Sequence, residues 1–131
     1  MSHFTTLKTQ ITDLGCLKSA LNHLNFAWEE GDCTVNNYLG ESEPVDLAIR
    51  TGTKYDIGFR RAGNEYEIVA DWWGVENSGQ LKEKETVDGI RQRYAYEKIM
   101  KEQEKLRKQG FLFAKHEVTE EKVEVITLRR Y

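Results

Sequence analysis

The chain has 131 residues, of which 39% are hydrophobic and 31% charged; that is enough apolar content for an ordinary core and too much for a disordered chain. Its 19 basic and 22 acidic side chains leave a net charge of −3, which excludes the strongly basic balance of a dedicated nucleic-acid binder. No run approaches the ~18 apolar residues of a membrane span, and Cys16 and Cys33, the only two cysteines, form neither a CxxC pair nor a zinc-ligand spacing and read as reduced thiols.

The first stretch, HFTTLKTQI (3–11), alternates with β-branched residues and reads as a strand. Asp13 is placed to cap a helix whose apolar stripe is Leu14, Leu17, Leu21 and Leu24, ending near Asn25. FAWE (26–29) reads as a short strand. The segment 29–44 holds Gly31, Gly40 and Pro44, and reads mostly as loop, with a short strand at 34–39. Six acids and no Lys or Arg fall between Glu29 and Asp46. VDLAIRT (45–51) alternates again.

YDIGFRRAGNEYEIVADWWG (55–74) is a hairpin turning at Gly63–Asn64. Tyr55, Ile57 and Phe59 share one face of its first strand. Tyr66, Ile68, Ala70 and Trp72 share one face of its second, with Glu65, Glu67, Val69 and Asp71 opposite. Adjacent Trp72 and Trp73 on a strand point to opposite faces, so one of them must face away from the core. GVENSGQLKEKE (74–85) reads as a loop. Thr86 caps a long helix, about 86–109, with Ile90, Tyr94, Ala95, Ile99 and Leu106 as its stripe and Gly110 as its stop. Leu17, Leu21, Ile57, Ile68 and Tyr94 are expected in the core. A last hairpin turns at 119–121.

The order β-α-β-β-β-β-α-β-β predicts one α+β domain over residues 1–131. It would be a mainly antiparallel sheet of about six strands, covered on one face by two helices. The N-terminus has no apolar core for a signal peptide and no transit-peptide character. A soluble protein retained where it is made is expected, without membrane insertion.

Contiguous signatures of phosphate, dinucleotide, zinc, calcium and serine-hydrolase sites are missing. Three scattered histidines without companions at ligand spacing argue against a metal site, and no cofactor is implied. His3 precedes the first strand and reads as a terminal, exposed residue. RQRYAY (91–96) is the most suggestive helical piece, because Arg91 and Arg93 beside Tyr94 and Tyr96 could hold an anion or stack a base. The plainer reading puts Tyr94 in the core and the arginines on the hairpin carboxylates. Seven basic residues against three acids between Arg91 and Lys108 read as a solvated helix face, with Glu97–Lys101 and Glu104–Lys108 pairs.

MSHFTTLKTQI, YDIGFRRAGNEYEIVADWWG and QRYAY resemble the conserved hypothetical chloroplast reading frame thirty-five family, a domain of unknown function of cyanobacteria and algal plastids. The resemblance covers essentially the whole chain. It implies a plastid stroma or cyanobacterial cytoplasm and brings no established activity. It sets His3, Asp56, Arg60, Tyr66, Asp71, Gly74, Gln92, Arg93, Tyr94 and Tyr96 within family motifs. Two functions then compete. One is a non-enzymatic accessory or assembly factor that binds a protein partner, with Trp73 as a contact. The other is a small enzyme or anion- or nucleotide-binding protein, in which Asp56, Arg60 and Asp71 of the hairpin lie near Arg91 and Arg93. RNA binding along 91–108 is disfavoured by the net negative charge. A flat apolar patch around Trp73 would favour the first, and a pocket joining the hairpin carboxylates to the arginines the second.

Overall fold

The computed structural model describes residues 3–108, 111–118 and 124–130. Five strands, β1 (Thr5–Lys8), β2 (Trp28–Asn36), β3 (Ser42–Ile49), β4 (Ile57–Ala62) and β5 (Glu65–Ala70), form a sheet in the order β1-β5-β4-β3-β2. Every neighbouring pair is antiparallel. Consecutive hairpins build β2 to β5, and β1 adds beside β5. Helix α1 (Leu14–His23) therefore carries the chain from one edge of the sheet to the other. Two more helices follow, α2 (Trp72–Ser78) and α3 (Glu83–Lys108), then β6 (Phe111–Val118) and β7 (Glu124–Arg130). The last two pair with each other in a separate antiparallel sheet. The expected α+β class and the helix-covered antiparallel sheet hold, with five strands in the main sheet and a third, short helix. The expected stop at Gly110 and the turn at 119–121 lie outside the described residues.

The core follows the alternation. Leu47, Ile49, Ile57, Phe59, Tyr66, Ile68 and Ala70 line one sheet face and meet Leu17 and Leu21 of α1, Trp72 and Val75 of α2, and Val87, Ile90 and Tyr94 of α3. Leu17, Leu21, Ile57 and Ile68 are fully buried and Tyr94 is buried, as the stripes require. Cys16 belongs to this cluster, whereas Cys33 packs with Val35, Val45, Ala48 and Val69 in a second one. The two thiols are free.

Three departures have physical causes. The first part of the acidic stretch is a long edge strand, β2, in place of the expected strand at 34–39, and the rest is a turn and the start of β3; β2 has a bulge between Glu30 and Cys33 where Gly31 takes φ +113°. Its acids are on the exposed positions while Cys33 and Val35 alternate inward, and charge on an edge strand discourages pairing with another chain. The segment after Asp71 is helical because Asp71 caps it, accepting from the Gly74 N–H at 3.1 Å. Helix α3 starts at Glu83, before Thr86, because the Glu76 carboxylate takes the Glu83 N–H at 2.8 Å.

Helices α1 and α3 are locked at one junction. The Tyr94 hydroxyl accepts from the backbone N–H of Thr12 at 3.1 Å and of Asp13 at 3.0 Å. Asp13 caps α1 through the Cys16 N–H at 3.0 Å and also accepts from Lys101 of α3. The bond from Lys101, which outweighs the opposing effect of burial, lowers the Asp13 pKa from 3.8 to about 2. The expected Glu97–Lys101 pair is therefore replaced: Lys101 serves Asp13, and Glu97 pairs with Arg93 at 2.8 Å.

Because the folded-state pKa of Asp13 is depressed, its contribution is complete above the unfolded value of 3.8 and is lost as pH falls toward about 2. Urea midpoints measured between pH 5 and 2 should fall more steeply for the native chain than for Asp13→Asn. Parallel curves would mean that the junction carries no charge-dependent stability. A second test concerns Gly58, where an added Cβ would lie 2.4 Å from Val45 Cγ1. Gly58→Ala should lower unfolding stability by about 1–3 kcal/mol, as overpacking does, while Gly89→Ala, where a Cβ meets nothing within 4 Å, should be neutral or stabilising.

Candidate functional site

The hairpin charges separate into structural roles. Asp56 accepts from Arg50 Nη1 at 2.9 Å and from the Thr51 N–H at 2.9 Å, which fixes the 50–56 turn. Bonds from Arg50 to Glu29 and Asp56 raise the guanidinium pKa further above its already high value. Arg60 bridges Glu43 and Glu67, both at 3.2 Å, across the reverse face of the sheet. That face is therefore half-covered instead of simply wet. His3 is exposed ahead of β1.

Asp71 is completely buried. One carboxylate oxygen caps α2 and the other accepts from the Tyr38 N–H at 2.7 Å. Tyr38 sits in the turn between β2 and β3, where the Asn37 side-chain oxygen accepts from Leu39 at 3.0 Å and Glu41 at 2.9 Å. The carboxylate thus ties that turn to the start of α2. Above it the Tyr38 and Trp73 rings meet edge to face, with centroids 4.7 Å apart. Tyr38 is 58% exposed, Leu39 63% and Trp73 46%. Trp72 is buried. The two tryptophans do face apart, but as the first residues of a helix and not as strand neighbours.

The juxtaposition of Asp56 and Asp71 with Arg91 and Arg93 is not found. Ile57 and Ala70 stand at the open end of the β4–β5 hairpin, so Asp56 and Asp71 both lie there. Arg91 donates to the Lys8 carbonyl at 3.3 Å, and Lys8 pairs with Glu67, four residues or about 13 Å back along β5 from Asp71. Arg93 pairs with Glu97 at 2.8 Å and stacks 4.1 Å over the Tyr96 ring.

A groove of about 810 Å³ does form at the other end, between the segment after β1 and the middle of α3. Arg91 and Tyr94 line it, with Lys8, Lys98 and Ile99, and its one hairpin carboxylate is Glu65. Among the described residues no group of three His, Cys, Asp or Glu could hold a metal ion, and no helix is long and apolar enough to cross a membrane. Sequence reasoning missed Tyr38 and Leu39, whose signal was an apolar pair inside a turn, NNYLG. It also missed Lys8 and Lys98, which read as ordinary surface cations.

A family described as "Protein of unknown function (DUF1257)" matches residues 20–127. Curated relatives, each named "Uncharacterized protein ycf35", include one from Cyanophora paradoxa, 36% identical over 78% of this chain and 78% of its own. One from Guillardia theta is 37% identical over 77% of each chain. One from Pyropia yezoensis is 35% identical over 85% of this chain and 83% of its own. No solved structure matches the chain.

Removing the Asp71 carboxylate leaves the Gly74 and Tyr38 N–H groups without their acceptor. Asp71→Ala should cost about 2–4 kcal/mol and release the Tyr38 turn from α2. Chemical unfolding gives the first quantity, and amide exchange at Tyr38 and Leu39 checks the second. Unchanged exchange there would show that the turn is held by other contacts.

Proposed function

The chain belongs to the DUF1257 family, and we propose that it is an accessory or assembly factor that docks a protein partner on the Tyr38–Leu39–Trp73 surface. The observation that carries this reading is the exposed ring pair held over a buried carboxylate. Trp and Tyr are the side chains that most often anchor protein interfaces. An exposed apolar patch has a cost in water that a partner relieves. The backbone beneath this patch is already fixed by the Asp71 bonds, so docking orders little more than the side chains. The partner surface that suits it presents an apolar side chain to the two rings. Glu41, in the same turn and exposed, adds negative charge at the rim and favours a basic neighbour on the partner. The proposed setting is the plastid stroma or the cyanobacterial cytoplasm. An enzyme built on the hairpin carboxylates is disfavoured, because Asp56 and Asp71 are occupied in holding backbone N–H groups.

The test is comparative capture from an algal or cyanobacterial lysate, with mass spectrometry, using the native chain, a Tyr38→Ser/Trp73→Ser double variant and Ile99→Ser. All three substitutions are at exposed positions, so thermal midpoints should agree. A specific protein should be retained by the native chain and by Ile99→Ser and be lost at least about tenfold, or roughly 1.4 kcal/mol, with the double variant. The purified partner should then change the native chain's tryptophan fluorescence. An identical set of captured proteins for all three chains would sink the docking surface.

A further inference from the structure

We propose that the groove between the 8–11 segment and α3 binds a small amphipathic oxyanion, a molecule with one carboxylate or phosphate group on a compact apolar body. This site lies apart from the docking surface and does not depend on it.

The groove's walls are fixed before any ligand arrives. Thr9 Oγ1 donates to the Tyr66 carbonyl at 2.5 Å and accepts from the Ile11 N–H at 3.0 Å, and the Ile11 carbonyl accepts from the Tyr66 N–H at 2.9 Å. Opposite, Arg91, Tyr94, Ala95, Lys98 and Ile99 fall on one face of α3 by their spacing of three and four. The volume of about 810 Å³ is that of a small-molecule site.

Its chemistry has two halves. Lys8 and Arg91 bring two cations from two elements, against the single carboxylate of Glu65, while Lys98 contributes its stem and shares its ammonium with Asp13 and Glu102. Arg91 reaches from α3 to the Lys8 carbonyl with one terminal nitrogen, which holds the guanidinium across the groove in an orientation suited to a paired oxyanion contact. The other half is apolar. The Tyr94 hydroxyl is already taken up by two backbone N–H groups, so Tyr94 offers the groove its ring. Beyond Tyr94 the apolar stripe of α3 leaves the core: Ala95 is exposed and Ile99 is 36% exposed. An apolar ligand body explains why an isoleucine stands there in water. Glu65 repels a second negative group, so a ligand with one anionic end fits better than a polyanion.

The full ¹⁵N-labelled chain should be titrated with benzoate, phenyl phosphate, inorganic phosphate and benzyl alcohol while the amides of Gln10, Ile11, Ala95 and Ile99 are followed. Benzoate or phenyl phosphate should give saturable shifts at these amides, and the stronger of the two identifies the oxyanion. Inorganic phosphate and benzyl alcohol, each lacking one half, should bind about tenfold more weakly. Arg91→Gln should weaken binding about tenfold, the loss of one charge-assisted contact. Lys8→Gln, at an exposed strand end, provides a second variant with the same expected direction. Lys84→Gln, equal in charge change but outside the groove, and Trp73→Ser should leave it unchanged. The proposal fails if neither aromatic anion gives saturable shifts at these amides, if the neutral alcohol binds equally well, or if Lys84→Gln weakens binding as much as Arg91→Gln does.

Discussion

One buried carboxylate organises the open end of the β4–β5 hairpin. Taking an ionised carboxylate out of water costs several kcal/mol unless hydrogen bonds replace the lost hydration. Asp71 obtains two of them from backbone N–H groups on separate elements, Gly74 at the start of α2 and Tyr38 in the β2–β3 turn. The helix and the turn are therefore held together by what the carboxylate needs. Gly74 belongs to the same unit: a Cβ there would stand 2.8 Å from the Tyr55 ring and 3.2 Å from Asp71 Oδ2. The ring pair of Tyr38 and Trp73 is the outward consequence of an inward electrostatic demand.

The parts of this fold that were legible in the sequence are those in which one residue answers to one force. The stripe of α1 and the alternation of β4 and β5 report burial directly, and Leu17, Leu21, Ile57 and Ile68 are fully buried as that rule requires. Asp13 was legible as a cap because the N–H it satisfies is three residues away. Asp71 obeys the same local rule, yet the aromatic alternation running through Trp72 concealed it. The β2 strand was hidden for the opposite reason, since its acids oppose strand propensity while serving an edge. Neither candidate site could be read as a unit. Tyr38 and Trp73 are thirty-five positions apart, and Lys8 and Arg91 eighty-three. Their meeting depends on strand register, which no local pattern encodes.

Register also explains why opposite charges did not find each other. Asp56 and Asp71 carry the sign that Arg91 and Arg93 lack, and the connection between them is short. Even so, β5 separates Asp71 from the Arg91 end by most of its length, while α3 is pinned at that far end by the Tyr94 hydroxyl and by Asp13. Fixed backbone geometry decides which charges can meet, and both aspartates already have partners, Arg50 for Asp56 and two backbone N–H groups for Asp71. Arg91 instead reaches the Lys8 carbonyl, and Arg93 pairs with Glu97 one turn along α3.

The two ends of β5 consequently differ in chemistry. At the Asp71 end, backbone held by the Asp71 bonds carries the exposed Tyr38 and Trp73 rings. At the Glu65 end, α3 stands off the 8–11 segment and leaves a concave space rimmed by cations. The standing-off follows from the helix's own composition. Val87, Ile90 and Tyr94 bind its first half to the core, whereas Ala95 and Ile99 beyond them are exposed. Lys98 and Lys101 of the same turns pair with Asp13, so this part of α3 is tied to the start of α1 by charge and not to the sheet by apolar contact.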